Sequence, residues 1–328
     1  MSRIENFGET QDVEVTVLVD NRADLMLKST DTVKRYTDEP LLAEHGFAAL
    51  VDLKDARVRT LWDAGITRIA LMENAARMKI DLATVDKIAL SHGHGDHYAA
   101  MTDVVAEIAG HPGSREWDAD VTSEEIQGWI ASHKVPLIAH PAAFRERWRI
   151  DEEEGKKYGP GIAPRSEWEA AGADIILSEG PYQLGPGCWV TGAVPRRSFE
   201  QAGTHPSRAY REGDEFLRDM MDDDQSIVIN IEDKGLVVLS GCAHSGIVNT
   251  VNYAREISGV DQVWAILGGF HLAPAEDDEI QRTIDAIKKL GPAMVVPTHC
   301  SGFKAISQFA AQMPDAFVLG VVGTKYLF

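Results

Sequence analysis

Apolar positions along the chain follow two rhythms. Val13, Val15, Val17 and Val19 alternate with other residues, the period of a strand, and β-branched side chains dominate there. Apolar runs at 45–53, 57–63, 85–90, 135–139, 173–177, 226–231, 235–240, 262–267, 293–296 and 316–322 predict further strands. Residues 183–184 and 188–191 predict two short ones broken by glycine. A helical period appears at 68–78, where Ile69, Leu71, Met72, Ala75 and Met78 share a face, and at 277–290, where Ile280, Ile284, Ile287 and Leu290 do. Helices are also expected over 98–108, 141–148, 247–257 and 301–312. The first half is thus strand-rich around a central helix pair, and the second half runs from a strand block into β-helix-β-helix. The expected class is α+β, two mixed sheets packed face to face with helices outside.

Polar and glycine-rich stretches interrupt this pattern. Residues 21–36 read as a loop with a helix. Residues 111–134 and 151–168 lack apolar periodicity, so 111–168 is expected to be a peripheral insertion in a single domain spanning 1–328. Residues 194–221 also lack it and carry Arg196, Arg197, Glu200, Arg208 and Arg211. A long irregular stretch in a compact chain is usually functional or disordered.

Chemistry concentrates in Ser91-His92-Gly93-His94-Gly95-Asp96-His97, directly after one predicted strand. Three imidazoles and a carboxylate this close repel one another's protons and crowd one another's lone pairs, unless a cation holds them together. Alternate residues of an extended loop point the same way, so His92 and His94 can clasp one ion. Asp96 and His97, at the turn into a helix, can face a second. More donors are then required. His244, His271 and His299 each follow a strand and a glycine or proline turn, and Cys242 is a soft candidate beside His244. His244 and His271 are alternatively proton donors or substrate contacts. Cys188 and Cys300 read as packing residues.

Composition narrows the partners. The net charge is -19, from 32 Lys plus Arg against 51 Asp plus Glu, which disfavours nucleic-acid backbones and anionic membranes. Three cysteines among 328 residues give no disulfide framework. The start, Met1–Val13, has neither a basic lead nor an apolar run, and no apolar run reaches the ~18 residues of a membrane span. A soluble, cytoplasmic protein acting on a small molecule is expected.

The motif at His92–His97 resembles the signature of the metallo-β-lactamase fold superfamily. With Asn74, the 81–90 approach, Gly241-Cys242-Ala243-His244-Ser245-Gly246, Gly268-Gly269-Phe270-His271-Leu272 and Pro297-Thr298-His299-Cys300, most of the chain resembles one branch of it, the dihydropterin-ribofuranosylaminobenzene-phosphate synthase-like proteins. The resemblance implies an αββα sandwich and one or two divalent metals, zinc first, with iron, manganese or magnesium as alternatives. Two departures stand out. Where most members place a further histidine, this chain reads Thr191-Gly192-Ala193-Val194-Pro195-Arg196, and where most end a late strand in Gly-Asp, it reads Gly241-Cys242. His244 and His271 are the obvious substitutes, with the metal each serves left open.

The expected activity is hydrolysis of an ester or phosphoester by a metal-activated water, with Asp96 and His271 as catalytic candidates. Arg196, Arg197, Arg208 and Arg211 are candidate grips for an anionic substrate, since guanidinium binds phosphate or carboxylate bidentately. Glu200 is a candidate general acid/base. A transferase condensing a pterin diphosphate with an aminobenzene-ribose phosphate, and an iron-binding redox or sensor protein, are the competing readings.

Overall fold

The computed structural model describes residues 3–110, 117–200 and 206–328. Eight strands form the first sheet: β1 (Val13–Val19), β2 (Val33–Arg35), β3 (Ala48–Leu53), β4 (Val58–Trp62), β5 (Lys87–Ala89), β6 (Val135–Ala139), β9 (Ala173–Leu177) and β18 (Thr324–Leu327), in the order β2-β18-β1-β3-β4-β5-β6-β9. Six form the second: β10 (Tyr182–Gly185), β11 (Cys188–Val190), β14 (Ser226–Ile231), β15 (Gly235–Ser240), β16 (Val263–Gly269) and β17 (Met294–Thr298), in chain order. Both are mixed. β1, β3 and β4 pair antiparallel, then β4, β5, β6 and β9 run parallel; β14 and β15 are antiparallel, and β15, β16 and β17 parallel.

The near-continuous apolar runs follow from burial on both faces. In β14 and β15, Ile227, Ile229, Val237 and Leu239 point into one core with Val15, Val51 and Trp62 of the first sheet. Their neighbours Val228, Leu236 and Val238 point the other way, onto helices α6 (Ile247–Ser258), α7 (Asp277–Leu290) and α8 (Gly302–Gln312). On the far side of the first sheet, Leu18, Leu50 and Leu61 pack against α1 (Arg68–Arg77), α3 (Met101–Ala109) and α5 (Arg165–Ala171), with Trp168 fully buried there. The order of layers is therefore helix, sheet, sheet, helix, as expected. A register shift between Val17 and Val19 lets β1 serve both cores.

Several elements differ from expectation. Residues 21–36 contain the short β2 and no α-helix. The helix expected over 98–108 is split into α2 (Gly95–Tyr98) and α3, so His97 lies within a helical turn. The helix expected at 141–148 is one 3-10 turn, Pro141–Phe144, followed by β7 (Glu146–Asp151). The expected loop at 151–168 holds β8 (Lys156–Gly161) and α5, and the irregular stretch 194–221 holds β12 (Arg208–Glu212) and β13 (Glu215–Arg218). These four strands form a third sheet, β13-β12-β7-β8. No strand forms over 316–322; Phe317 makes only an isolated bridge to Val295. Within 111–168, β6 is integral to the first sheet, while α4 (Ser123–Ser132), β7 and β8 lie outside both main sheets. The first part of that span, residues 111–116, falls outside the described residues. Among the described residues no helix is long and apolar enough to cross a membrane.

Arg147 on β7 ties the third sheet to the sandwich. Its buried guanidinium fills all its N–H positions. Nε donates to Asp219 Oδ2 at 2.8 Å, Nη2 to Asp223 Oδ1 at 2.7 Å and Ala142 O at 3.1 Å, and Nη1 to Ala143 O at 3.1 Å and Gly93 O at 3.2 Å. Asp223 in turn accepts from Gly93 N at 2.7 Å. Removing one partner of a buried ion pair strands the others, at a cost of about 3–5 kcal/mol. Arg147→Leu should lose about that much in urea unfolding; a loss below about 1 kcal/mol would show the network to be dispensable.

Candidate metal centre

The donor residues converge from strand ends. β5 delivers His92, His94, Asp96 and His97; β15 delivers Cys242 and His244; β16 delivers His271; β17 delivers His299 and Cys300. Three donor sets have all their ligand atoms within 4.8 Å of one another: His92, Cys242 and His244; His97, Cys242 and His299; and Cys242, His271 and Cys300. Cys242 is common to all three. Its Sγ lies 3.1 Å from His97 Nε2. His94 Nδ1 joins the first set at 3.1 Å from His92 Nε2, and Asp96 Oδ2 joins the second at 3.4 Å from His299 Nε2 and 3.8 Å from His97 Nε2. The His244 ring lies edge-on to those of His92 and His94, with centroids at 4.8 and 4.9 Å, and 4.1 Å from that of His271.

The backbone is distorted to achieve this. Asp63, Ala243, His271 and His299 all adopt positive φ, between 48° and 62°. Such conformations cost of order 1–3 kcal/mol each away from glycine and gather at functional sites. Gly93 is required for a different reason. A Cβ there would stand 2.1 Å from Ala143 O and 2.3 Å from Arg147 Nη1.

Partners behind the imidazoles fix their orientation. Asp63 Oδ2 lies 2.6 Å from His97 Nδ1, both side chains being fully buried, while Asp63 Oδ1 accepts from Ser91 N at 2.7 Å. Ser91 Oγ lies 2.8 Å from His92 Nδ1. Asn21 Oδ1 lies 3.0 Å from His299 Nδ1, and Asp20 Oδ1 accepts from His299 N at 3.2 Å. His45 Nε2 approaches Asp96 Oδ2 at 3.3 Å from the solvent side.

The proton affinities suit a cation site. Burial, reinforced by the neighbouring imidazoles, holds His92 well below its usual range. Burial and the Arg147 guanidinium take His94 down to about 3. Burial works against charge on Asp96, but His97, His299 and His45 hold it ionised. On His97, too, burial is outweighed, here by Asp63 and Asp96, which raise it to about 9. Burial pushes the Cys242 thiol up, the nearby Asp96 and Asp224 carboxylates push it further, and a bound cation would bring it down. His271 Nδ1 is buried without a hydrogen-bond partner, and His299 Nε2 has only the Asp96 carboxylate, at 3.4 Å. Buried polar atoms are rarely left so, and here each belongs to a residue of a donor set. The residues present therefore fit a bound divalent metal.

No protein-family model matches the chain. It is 28% identical to 7,8-dihydropterin-6-methyl-4-(beta-D-ribofuranosyl)-aminobenzene-5'-phosphate synthase of Methanocaldococcus jannaschii, over 88% of its length and 94% of the relative's. It is 31% identical to MJ0448, an uncharacterized protein of the same organism, over 86% of its length and 92% of the relative's. The fold is similar to that of Tm1679, described as a metal-dependent hydrolase of the beta-lactamase superfamily, with a TM-score of 0.69 and 22% identity over 95% of this chain and 98% of that one. The chain belongs to one family with MJ0448 and has the metallo-β-lactamase fold. Its named relatives are enzymes, and this chain is one too.

Its other candidate residues have divergent positions. Arg208 borders a cavity of about 170 Å³ that reaches Gly93, His94 and Tyr98. Arg196 instead braces the donor loop from behind, donating to Met220 O and, at 3.4 Å, to His244 O. Arg197 turns to Glu256 on α6. Arg211 lies 3.6 Å from Glu146. Glu200 does not face the cluster. Its Oε2 accepts from Val248 N at 2.9 Å and Asn249 N at 3.0 Å, so it serves the start of α6, and burial raises its proton affinity to about 7. Cys300, expected only to pack, stands in a donor set. Asn74 bonds Leu42 N, Leu18 O and Leu42 O and is structural.

Asp63, Asp20, Asn21 and His45 were not singled out from sequence. Asp63 and Asp20 do carry the cue used for the histidines, a polar residue directly after an apolar strand.

Carboxylates that orient metal-binding histidines typically contribute 10–100-fold in affinity. Asp63→Asn should weaken zinc binding by roughly that factor in a chelator competition assay. Because His97 must shed its proton to bind, its contribution to the pH dependence of wild-type zinc affinity should climb with pH up to about 9 and then level. In Asp63→Asn the plateau should begin at lower pH; an unchanged profile would dissociate Asp63 from His97.

Proposed function

We propose that the protein is a two-metal hydrolase that cleaves an ester or phosphoester of a small anionic molecule. The observation that carries this reading is the nesting of two donor sets about one sulfur. His92, His94 and His244 lie to one side of Cys242, and Asp96, His97 and His299 to the other. Nitrogen and sulfur donors favour zinc or iron over magnesium, and zinc is the metal proposed. A thiol in this position suits the reducing cytoplasm; all three cysteines are free.

A bound metal pair supplies Lewis acidity and lowers the pKa of water. The chain's own residues do the rest. Asp96, held ionised by three imidazoles, accepts a hydrogen bond from the attacking water and aligns it. His271 keeps its proton more tightly than an ordinary histidine, because contact with Cys300 outweighs burial, and donates from Nδ1 to the leaving oxygen. The third sheet borders the cavity that reaches His94 and so lines the approach to it. A second reading, a synthase condensing a pterin diphosphate with an aminobenzene-ribose phosphate, is favoured by the 28% identity to such an enzyme over 88% of the chain.

Zinc-loaded protein should hold two equivalents by elemental analysis and turn over part of an ester, lactone and phosphoester panel. Asp96→Asn should cut kcat by roughly 10²–10⁴-fold. Two bound metals with no turnover on that panel, together with product formation from the pterin diphosphate pair, would replace hydrolysis by the synthase reading.

A further inference from the structure

The third sheet places two arginines where a sheet does not tolerate them unaided. Arg208 on β12 and Arg149 on β7 are direct cross-strand partners, and Tyr158 on β8 is the next residue in the same row. Like charges directly opposite in a sheet repel at close range. The other arginines around them are compensated: Arg145 pairs with Asp222, Arg147 with Asp219 and Asp223, and Arg211 with Glu146. Among the described residues no carboxylate forms an ion pair with Arg149 or Arg208. Arg149 instead stacks on the Tyr158 ring, 4.5 Å from its centroid. In a chain of net charge -19, with acids in excess, leaving two facing guanidinia uncompensated is notable.

Their position supplies the reason. Both line the cavity that reaches His94, and both also line a larger one of about 690 Å³ on the outer side, where Lys157, Arg218 and Phe216 join them. The pair therefore stands between the metal centre and an open volume large enough for a small molecule. Asp151, Glu152 and Glu153 line that outer cavity and form no ion pair with either arginine.

We infer that Arg149 and Arg208 form an oxyanion clamp that holds a phosphate or carboxylate group of the substrate beside the metal centre. The inference rests on the anionic-substrate reading above and adds a residue, Arg149, and a location to it. Two guanidinium forks meeting one tetrahedral or planar oxyanion satisfy several N–H donors at once and remove the mutual repulsion. Tyr158 holds the Arg149 guanidinium over its ring and so helps to fix its position.

The test is calorimetric titration of the metal-loaded protein with inorganic phosphate and, separately, acetate. Arg149→Gln and Arg208→Gln should each weaken binding roughly tenfold or more, and the double variant should lose the arginine-dependent part altogether. Any phosphate held at the metals persists in every variant and is read by difference. Arg211→Gln, on the same strand but paired with Glu146, should bind as the wild type does. Without added anion, each single variant should melt no lower than wild type, because it relieves repulsion. Preference for phosphate assigns a phosphoryl group, and preference for acetate a carboxylate. Binding by the double variant within twofold of wild type, or no anion binding by wild type, overturns the clamp. Failure of turnover on the ester panel with arginine-dependent binding intact would overturn only the reaction.

Discussion

Crowding of lone pairs and protons at one point governs this structure. Six imidazoles, a carboxylate and two thiols meet above the ends of four strands, most of them cut off from water. Buried at this density, the imidazoles cannot all be charged, and two of them are driven strongly toward the neutral form. A cation resolves the conflict by taking the lone pairs that protons can no longer occupy. The local price is visible in the backbone, where non-glycine residues at three of the contributing turns sit in the left-handed region. The sandwich holds them there because the strands beneath are buried on both faces and cannot shift by a residue without inverting their packing.

Rigidity behind the donors comes from a second set of strand ends. Asp63, at the end of β4, holds His97 and the backbone of Ser91. Asp20 and Asn21, at the end of β1, hold His299. His97 and His299 are thus each oriented by an acid or amide at the end of another strand. Only their packing brings these ends to one spot. The division of labour explains why two carboxylates lie buried so close to the site while only Asp96 belongs to a donor set around Cys242.

Much of this was legible in the chain. Apolar runs of strand length marked most strands of both sheets, because buried parallel strands need apolar residues on both sides. The clustered donors at 92–97 were unambiguous, since so dense a polar group after a strand has few structural uses. The role of Asp63 was harder to read. A single aspartate after Trp62 looks like any turn-forming acid until the fold brings His97 to within 2.6 Å of it. Glu200 misled in the opposite direction. An acid in a functional-looking loop suggested chemistry, and the fold uses it at the start of α6.

The third sheet escaped the sequence pattern for a definite reason. β7 and β12 pair across some sixty intervening residues, and charged side chains populate their strands. Trp148 and Ile150 do alternate with polar residues in β7, but the buried position there is Arg147, and β12 offers only Ala209 and Tyr210 among charges, so the period-2 signal is short and marks the wrong face. What holds the sheet in place is polar: Arg147, bonded at once to Asp219, Asp223 and the carbonyl of Gly93. The same guanidinium that fastens the sheet to the sandwich also lowers the proton affinity of His94. A chain that builds its outer wall from arginines, and anchors that wall through Arg147 in the loop carrying His92 and His94, ties the proposed arginine clamp to the position of those two imidazoles.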